Sequence, residues 1–367
     1  MTRAKRRVFL AAGGTGGHLF PAQALAEELV KRGHDVDLLT DERVRDYGKD
    51  FPASHVHLVP SASLSLSDPL GMPERLWRLG RGYFLSRKLL GREKPAAVVG
   101  FGGYPSLPPL LAATHLRIPS VIHEANAVMG RANRLLATRV TAIATSFEKM
   151  TGIPDSALSR VQLTGNPVRG LVLASTELPY KPFSAKDKIR LLVFGGSQGA
   201  KFFSDAMPGV LARLPEGLRK RLIVTQQCRV EDLQKVRHAY EKSGISAALE
   251  IFFSNLPDIM ARSHLVICRS GASTIAELGV LGRPAFLVPL PGAIDNDQLN
   301  NARSFEAAGG GFLLEQKHAE SADFARLLQQ LLEAPERLKE AAAAAKRHGK
   351  PDAAQRLAAL VENTIAA

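Results

Sequence analysis

Four times in 367 residues a short apolar run gives way to a glycine cluster and then to a stretch of helical character. Residues 8–12 lead into Gly13-Gly14-Thr15-Gly16-Gly17-His18, and Val98-Val99 into Gly100-Phe101-Gly102-Gly103-Tyr104. Residues 191–194 lead into Gly195-Gly196-Ser197-Gln198-Gly199, and residues 265–268 into Arg269-Ser270-Gly271-Ala272-Ser273-Thr274. A strand that ends in a tight glycine turn and opens a helix presents backbone N–H groups at the positive helix end, which suits an anionic ligand. Two such junctions fall in each half of the chain. They predict an α/β protein of two Rossmann-like domains, not one nucleotide-binding domain with an appendage.

The length supports that division, since each half can bury its own core. The expected domains are residues 1–168 and 169–351, with the proline- and lysine-bearing segment 171–188 as linker. Whether a terminal helix over about 352–367 crosses back onto the first domain stays open at this stage. Buried strands are expected at 35–39, 96–99, 119–122, 141–144 and 285–288, and helices at 21–32, 132–138 and 298–307. Cys228 and Cys268 are too few for a disulfide framework or a zinc cluster, so a reducing, cytosolic compartment is expected. The basic start followed by an apolar run stops at Gly13 after about five residues, too short for a signal peptide, and reads as the first strand. No run approaches the roughly 20 apolar residues of a spanning helix. The net charge of +13 favours anionic partners: phosphorylated substrates, an anionic membrane or nucleic acid. Aromatic content of 6% and the lack of a recognisable motif make nucleic acid the weakest of these.

None of the four loops carries the Gly-Lys-Ser/Thr of a P-loop, which disfavours an NTPase. Gly14-Thr15-Gly16-Gly17 also departs from the dinucleotide spacing, although Thr40-Asp41 leaves a nicotinamide reading open. His18 stands where a helix begins. The positive end of that helix disfavours an imidazolium, so His18 is expected to be neutral and able to accept a proton, unless it merely packs or caps locally. His123-Glu124-Ala125-Asn126 follows a predicted strand and should lie at the carboxyl edge of the sheet, where such folds bind ligands. Its polar groups suit sugar hydroxyls; the alternative is that Glu124 pairs with Arg131 or Arg134. Glu277, about two turns into the helix after the fourth loop, is placed to grip a ribose, or else is a solvated helix residue. Asp295-Asn296-Asp297-Gln298 follows another strand and either meets a ligand or caps the next helix.

Together, Gly-Gly-Thr-Gly-Gly-His-x-x-Pro, Gly-Gly-Tyr-x-Ser-x-Pro, His-Glu-x-Asn, Gly-Asn-Pro-Val-Arg, Gly-Gly-Ser-Gln-Gly-Ala and Ser-Gly-Ala-x-Thr-x-x-Glu closely resemble the MurG family of glycosyltransferase family 28. The motifs run in the family's order from Gly13 to Gln298. The resemblance implies the GT-B fold, two Rossmann-like domains facing a deep cleft. It implies an inverting transfer of N-acetylglucosamine from UDP-N-acetylglucosamine to the muramyl 4-hydroxyl of lipid I, giving lipid II for peptidoglycan, with no metal and no cofactor. On the donor, the family pattern places Thr15, Gly16, Gly17, Asn126, Arg169, Ser197, Phe253, Ala272, Ser273, Thr274, Ile275, Ala276, Glu277 and Gln298. On the acceptor it places Gly14, Gly102, Gly103, Tyr104 and His123. His18 is the first choice of general base and Glu124 the second. Ala125 and Asp297 depart from the family, which often carries glutamine and histidine there.

A lipid acceptor implies work at the cytoplasmic face of the inner membrane, as a peripheral protein, alongside other cell-wall synthesis proteins. One segment fits: at helical spacing Met72, Leu76, Leu79, Tyr83 and Leu90 form a stripe expected to face the core. Arg78, Arg81, Lys88 and Arg92 lie opposite with Trp77, Phe84 and Leu85 among them, a mixture suited to an anionic leaflet, or to a plain solvated basic face. Gly80, Gly82 and Gly91 argue against the helix. The competing functions are a sugar-nucleotide 2-epimerase, a UDP-sugar sensor without catalysis and an NAD oxidoreductase.

Overall fold

Continuous runs of buried Val, Ile, Leu, Phe and Ala, too short for helices, pair as parallel strands covered on both faces. The structure is a computed structural model describing residues 5–13, 16–42, 51–63, 70–319 and 322–366, apart from the side chains of 197–200 and 294. It divides into two units, Met1–Arg169 with Lys350–Ala367, and Gly170–Gly349.

The first unit is built on β1 (Arg7–Ala11), β2 (Asp35–Thr40), β3 (His55–Leu58), β4 (Ala97–Gly100), β5 (Ser120–Glu124), β6 (Ala142–Thr145) and β7 (Val161–Leu163). These form one parallel sheet in the order β3-β2-β1-β4-β5-β6-β7. Its helices are α1 (Gly16–Lys31), α2 (Met72–Glu93), α3 (Gly103–His115) and α4 (Arg131–Leu136). From β1 the chain moves outward to β2 and β3, then returns to β4 on the other side. The order therefore reverses between β1 and β4, and the loops leaving those two strands lie at the carboxyl edge, where such folds bind ligands. They are the first and second glycine clusters.

The second unit repeats the plan with β8 (Ile189–Phe194), β9 (Leu222–Gln227), β10 (Ser246–Glu250), β11 (Leu265–Cys268), β12 (Ala285–Leu287) and β13 (Gly311–Leu313), ordered β10-β9-β8-β11-β12-β13. Its helices are α5 (Gly170–Ala174), α6 (Gly196–Ala212), α7 (Glu216–Arg219), α8 (Leu233–Lys242), α9 (Leu256–Arg262), α10 (Ala272–Leu281), α11 (Asp297–Ala307), α12 (Ala322–Leu332) and α13 (Pro335–His348). Here the reversal falls between β8 and β11, the strands that feed the third and fourth glycine clusters. A final helix, α14 (Ala353–Ala366), returns to the first unit. Its Leu357, Ala358, Leu360 and Val361 complete the core that lies on β1, β4 and α1. Arg32 Nη1 and His34 Nε2 hold its Glu362 at 2.9 and 3.1 Å.

Several expectations shift. Helix α1 begins at Gly16, not at Pro21, which is carried inside the helix. Strand β5 runs on through His123 and Glu124, which therefore belong to the sheet and are buried. Segment 171–188 is no free linker. It contributes α5, and Tyr180 and Phe183 pack into the second unit, where Arg283 Nη2 bonds Leu178 O at 2.6 Å and Tyr180 Oη donates to His264 O at 3.2 Å. The glycines that argued against α2 do not break it. A Cβ on Gly82 would stand 2.1 Å from Pro60 O, so this glycine lets the helix lie directly on the 60–61 segment, whereas Gly80 and Gly91 face open space.

Candidate active site

Each of the four glycine clusters lies at a strand's carboxyl end and opens a helix: β1 into α1, β4 into α3, β8 into α6 and β11 into α10. Helix N-termini thus gather in pairs at the two strand-order reversals, two positive ends per unit.

In the first unit Gly16 and Gly17 form the first turn of α1, while Gly14 and Thr15 lie outside the described residues. The ring of His18, half-buried, lies along the second loop. A Cβ on Gly102 would stand 3.4 Å from its Cε1, and one on Gly103 3.2 Å from its Nε2. Both glycines adopt positive φ, +83° and +69°, a conformation L side chains rarely take. Tyr104 follows in the first turn of α3.

His123 is fully buried beneath this loop. Its Nε2 lies 3.1 Å from Gly165 O and 3.4 Å from Ser146 Oγ, and Ser146 Oγ donates its own proton to Glu124 O at 2.9 Å. A carbonyl only accepts, so Nε2 carries the hydrogen and Nδ1 is left as a bare acceptor, with no donor among the described residues. Burial pushes the ring's pKa down to about 4, and the adjacent His18 ring acts in the same direction, so His123 is neutral.

Glu124 is equally enclosed. Its Oε1 accepts from the N–H of Asn126 at 3.0 Å and from Asn126 Nδ2 at 3.4 Å. Its Oε2 accepts from Gly130 N–H at 2.9 Å and Asn133 Nδ2 at 2.8 Å. Burial raises its pKa and these four donors pull it back. Arg134, an expected partner, donates instead to Met129 O at 3.0 Å. The carboxylate is committed to shaping the 126–133 loop. Arg169, at the end of the Gly-Asn-Pro-Val-Arg stretch, stacks its guanidinium 4.3 Å from the Phe20 ring centre on α1.

In the second unit Ser197 lies in the first turn of α6, and Gly271 precedes α10, which carries Ala272, Ser273, Thr274, Ile275, Ala276 and Glu277. Ser273, Thr274 and Ala276 are half-buried and Glu277 buried, so the solvated-helix alternative for Glu277 does not hold. Phe253 is buried just before α9, beside an exposed Phe252. Gln298, the second residue of α11, is tied to the fourth loop: Ser270 Oγ donates to its carbonyl at 2.8 Å. Its Oε1 accepts from Leu290 N–H at 3.0 Å. Asp295 and Asn296 turn the chain into α11 in left-handed conformations (φ 56° and 52°), and burial raises the pKa of Asp297. The motif reading gave no role to Asn133, Ser146 and Arg269, the side chains that hold these loops. An arginine between a buried strand and a glycine turn was the available signal for Arg269.

On α2 the outward face carries Trp77 and Phe84, 62% and 69% exposed, with Arg78, Arg81, Leu85 and Lys88. Arg81 lies 5.5 Å from the Trp77 ring centre, and Arg78 pairs with Glu74 at 2.9 Å. Leu76, expected toward the core, is 55% exposed. Leu90 is buried as expected, and with it Gly82 and Ser86, because the close approach at Gly82 sets the helix's rotation. No helix of the described residues is long and apolar enough to cross a membrane.

Comparison with known proteins agrees with this architecture. Residues 8–145 match the glycosyltransferase family 28 N-terminal domain and residues 190–357 its C-terminal domain. A Brucella abortus protein named UDP-N-acetylglucosamine--N-acetylmuramyl-(pentapeptide) pyrophosphoryl-undecaprenol N-acetylglucosamine transferase is 51% identical over 97% of this chain and 93% of its own length. A Rhizobium johnstonii protein of the same name is 49% identical over 97% and 94%. Among solved structures, Acinetobacter baumannii MurG superposes with a TM-score of 0.79 at 27% identity, covering 98% of this chain and 99% of that one. Neisseria meningitidis UDP-GlcNAc 2-epimerase shares the fold (TM-score 0.69, 16% identity, 97% and 100% covered). Two parallel α/β sheets, glycine loops at both reversals and this likeness along nearly the whole length make the chain a GT-B glycosyltransferase of family 28, in its MurG branch.

Proposed function

We propose that the protein transfers N-acetylglucosamine from UDP-N-acetylglucosamine to the C4 hydroxyl of the muramyl sugar in undecaprenyl-pyrophosphoryl-MurNAc-pentapeptide. The hydroxyl attacks C1 of the donor, the C1–oxygen bond to UDP breaks, and an α linkage becomes β1,4. The observation that carries this reading is the pairing of helix N-termini at both strand-order reversals, one pair for each of two pyrophosphate-bearing substrates.

In this assignment the second unit takes the donor. The N-termini of α6 and α10 meet the diphosphate, Glu277 the ribose, Phe253 the uracil through its backbone and Gln298 the sugar. Charge developing on the departing UDP is met by those helix ends and by Arg169. The first unit takes the acceptor through the first two glycine loops, Tyr104 and His123. His18 is the general base: a half-buried imidazole lying on bare backbone of the loop assigned to the acceptor. Glu124 is poorly suited, since both its oxygens are already bonded. The outward face of α2, basic and aromatic together, serves a peripheral attachment to an anionic leaflet on the cytoplasmic side.

The test is UDP release with and without a synthetic lipid I analogue. Release that depends on the analogue is expected. Binding of UDP-N-acetylglucosamine with no acceptor-dependent release overturns the transferase in favour of a sensor. The manno epimer formed without acceptor overturns it in favour of an epimerase.

A further inference from the structure

Arg269 sits between β11 and the glycine turn that opens α10, and only 7% of it is exposed. Its guanidinium carbon lies 4.9 Å from the ring centre of Phe202 and 5.4 Å from that of Phe203 on α6. Nη1 donates to Val288 O and Pro289 O, each at 3.1 Å, and Nη2 to Gln316 Oε1 at 2.7 Å. No carboxylate among the described residues pairs with it, so aromatic faces and carbonyl dipoles alone hold this interior cation. Burial accordingly lowers its pKa. Keeping an unpaired charge inside is expensive. What it secures is the turn at 288–290.

The next amide in that turn does specific work. Leu290 N–H points at the Gln298 side-chain amide 3.0 Å away. A backbone N–H can only donate, so the atom facing it is the oxygen, whichever way the amide would otherwise turn. The Gln298 backbone is fixed separately, by Ser270 Oγ on its carbonyl at 2.8 Å and by its own N–H on Asp297 Oδ1 at 2.6 Å. With oxygen and main chain both held, the one group left to offer is the –NH2.

We propose that Arg269 is a positioning residue for the donor sugar: it anchors the 288–290 turn so that Leu290 N–H holds Gln298 by its oxygen and presents Gln298 Nε2 as a hydrogen-bond donor to a sugar hydroxyl. This rests on the assignment of Gln298 to the donor sugar. The test is calorimetric binding of UDP and of UDP-N-acetylglucosamine to the wild type, Arg269→Lys, Gln298→Ala and the double variant. Lysine keeps the charge but cannot span two carbonyls and Gln316. Arg269→Lys is expected to bind UDP as the wild type does and UDP-N-acetylglucosamine about tenfold more weakly. It is expected to add nothing once Gln298 is alanine. Leu290→Pro deletes the linking N–H without touching the buried arginine and should reproduce the tenfold, sugar-specific loss, which keeps the idea testable if Arg269→Lys does not fold. Equal weakening toward UDP and UDP-sugar, a full Arg269→Lys effect in the Gln298→Ala background, or a Leu290→Pro variant that binds both ligands like the wild type each overturns the proposal. The readout is binding, so failed acceptor-dependent UDP release overturns the transferase reading and leaves this one standing.

Discussion

A neutral imidazole whose hydrogen is pinned on one nitrogen behaves at the other as a permanent acceptor. His123 is such a ring, and the two nitrogens can be tested apart. Gln in place of His keeps a donor near the Nε2 position, able to reach Gly165 O, but offers nothing at Nδ1. Asn does the reverse. His123→Gln is therefore expected to keep the wild-type melting temperature and lose turnover by about 10²-fold or more, and His123→Asn to retain more turnover at lower stability. Comparable turnover in the two variants would count against a role for Nδ1. His18→Ala should lower kcat by roughly 10²–10⁴ while UDP-N-acetylglucosamine still binds, because a lost proton acceptor leaves the donor contacts intact; near-normal kcat would remove it from the base role. At this scale the sequence was informative about motif residues and silent about their keepers. His123 and Glu124 stand next to each other in one motif, yet one presents an open nitrogen and the other has both oxygens spent. That difference arises from Ser146, Gly165, Gly130 and Asn133, brought near only by the fold.

Among elements, α2 departs furthest from its periodicity. Helical spacing put Leu76 inside and read its glycines as breakers. The backbone contact between Gly82 and Pro60 O turns the helix so that Leu76 joins Trp77 and Phe84 outside. Gly82→Ala is expected to lower the melting temperature, with a cost of about 1–3 kcal/mol, since its methyl would overlap a main-chain oxygen. Gly80→Ala, facing open space, should be neutral or stabilise by up to about 1 kcal/mol. Reversing charge at Arg78, Arg81 and Lys88 should weaken binding to anionic vesicles by at least about 100-fold at low salt, at roughly 1 kcal/mol per cation. Unchanged vesicle affinity would dismiss α2 as the membrane face. The strand–glycine–helix junctions, by contrast, were readable apart from the start of α1, because apolar run, turn and helix start are all local. Register and strand order depend on distant pairings that no local pattern encodes.

For the molecule as a whole, both units hold a buried histidine in its neutral form. Burial holds His123 in the first unit and His264 in the second to a pKa of about 4, below the ordinary value of 6.5. His264 Nδ1 accepts from Arg190 N–H at 2.9 Å, a bond that needs the unprotonated nitrogen. Between pH 6.5 and 4 the unfolded chain binds protons that the folded chain refuses, so stability falls as the medium is acidified through that window. Urea unfolding across it should show a loss of roughly 3 kcal/mol for each unit at most. A flat profile would contradict the buried neutral rings. The two-domain plan was visible in the doubled junctions, whereas the return of α14 was not, since an alanine-rich amphipathic helix carries no address. That return bears on synthesis. The strands of the first sheet leave the ribosome early, but the apolar flank that Leu357, Leu360 and Val361 cover stays bare until the whole of Gly170–Gly349 has been translated. During that interval the nascent chain holds an unsealed hydrophobic surface, a natural stopping place for a chaperone, and any premature stop codon before α14 should yield an aggregate rather than a shortened enzyme.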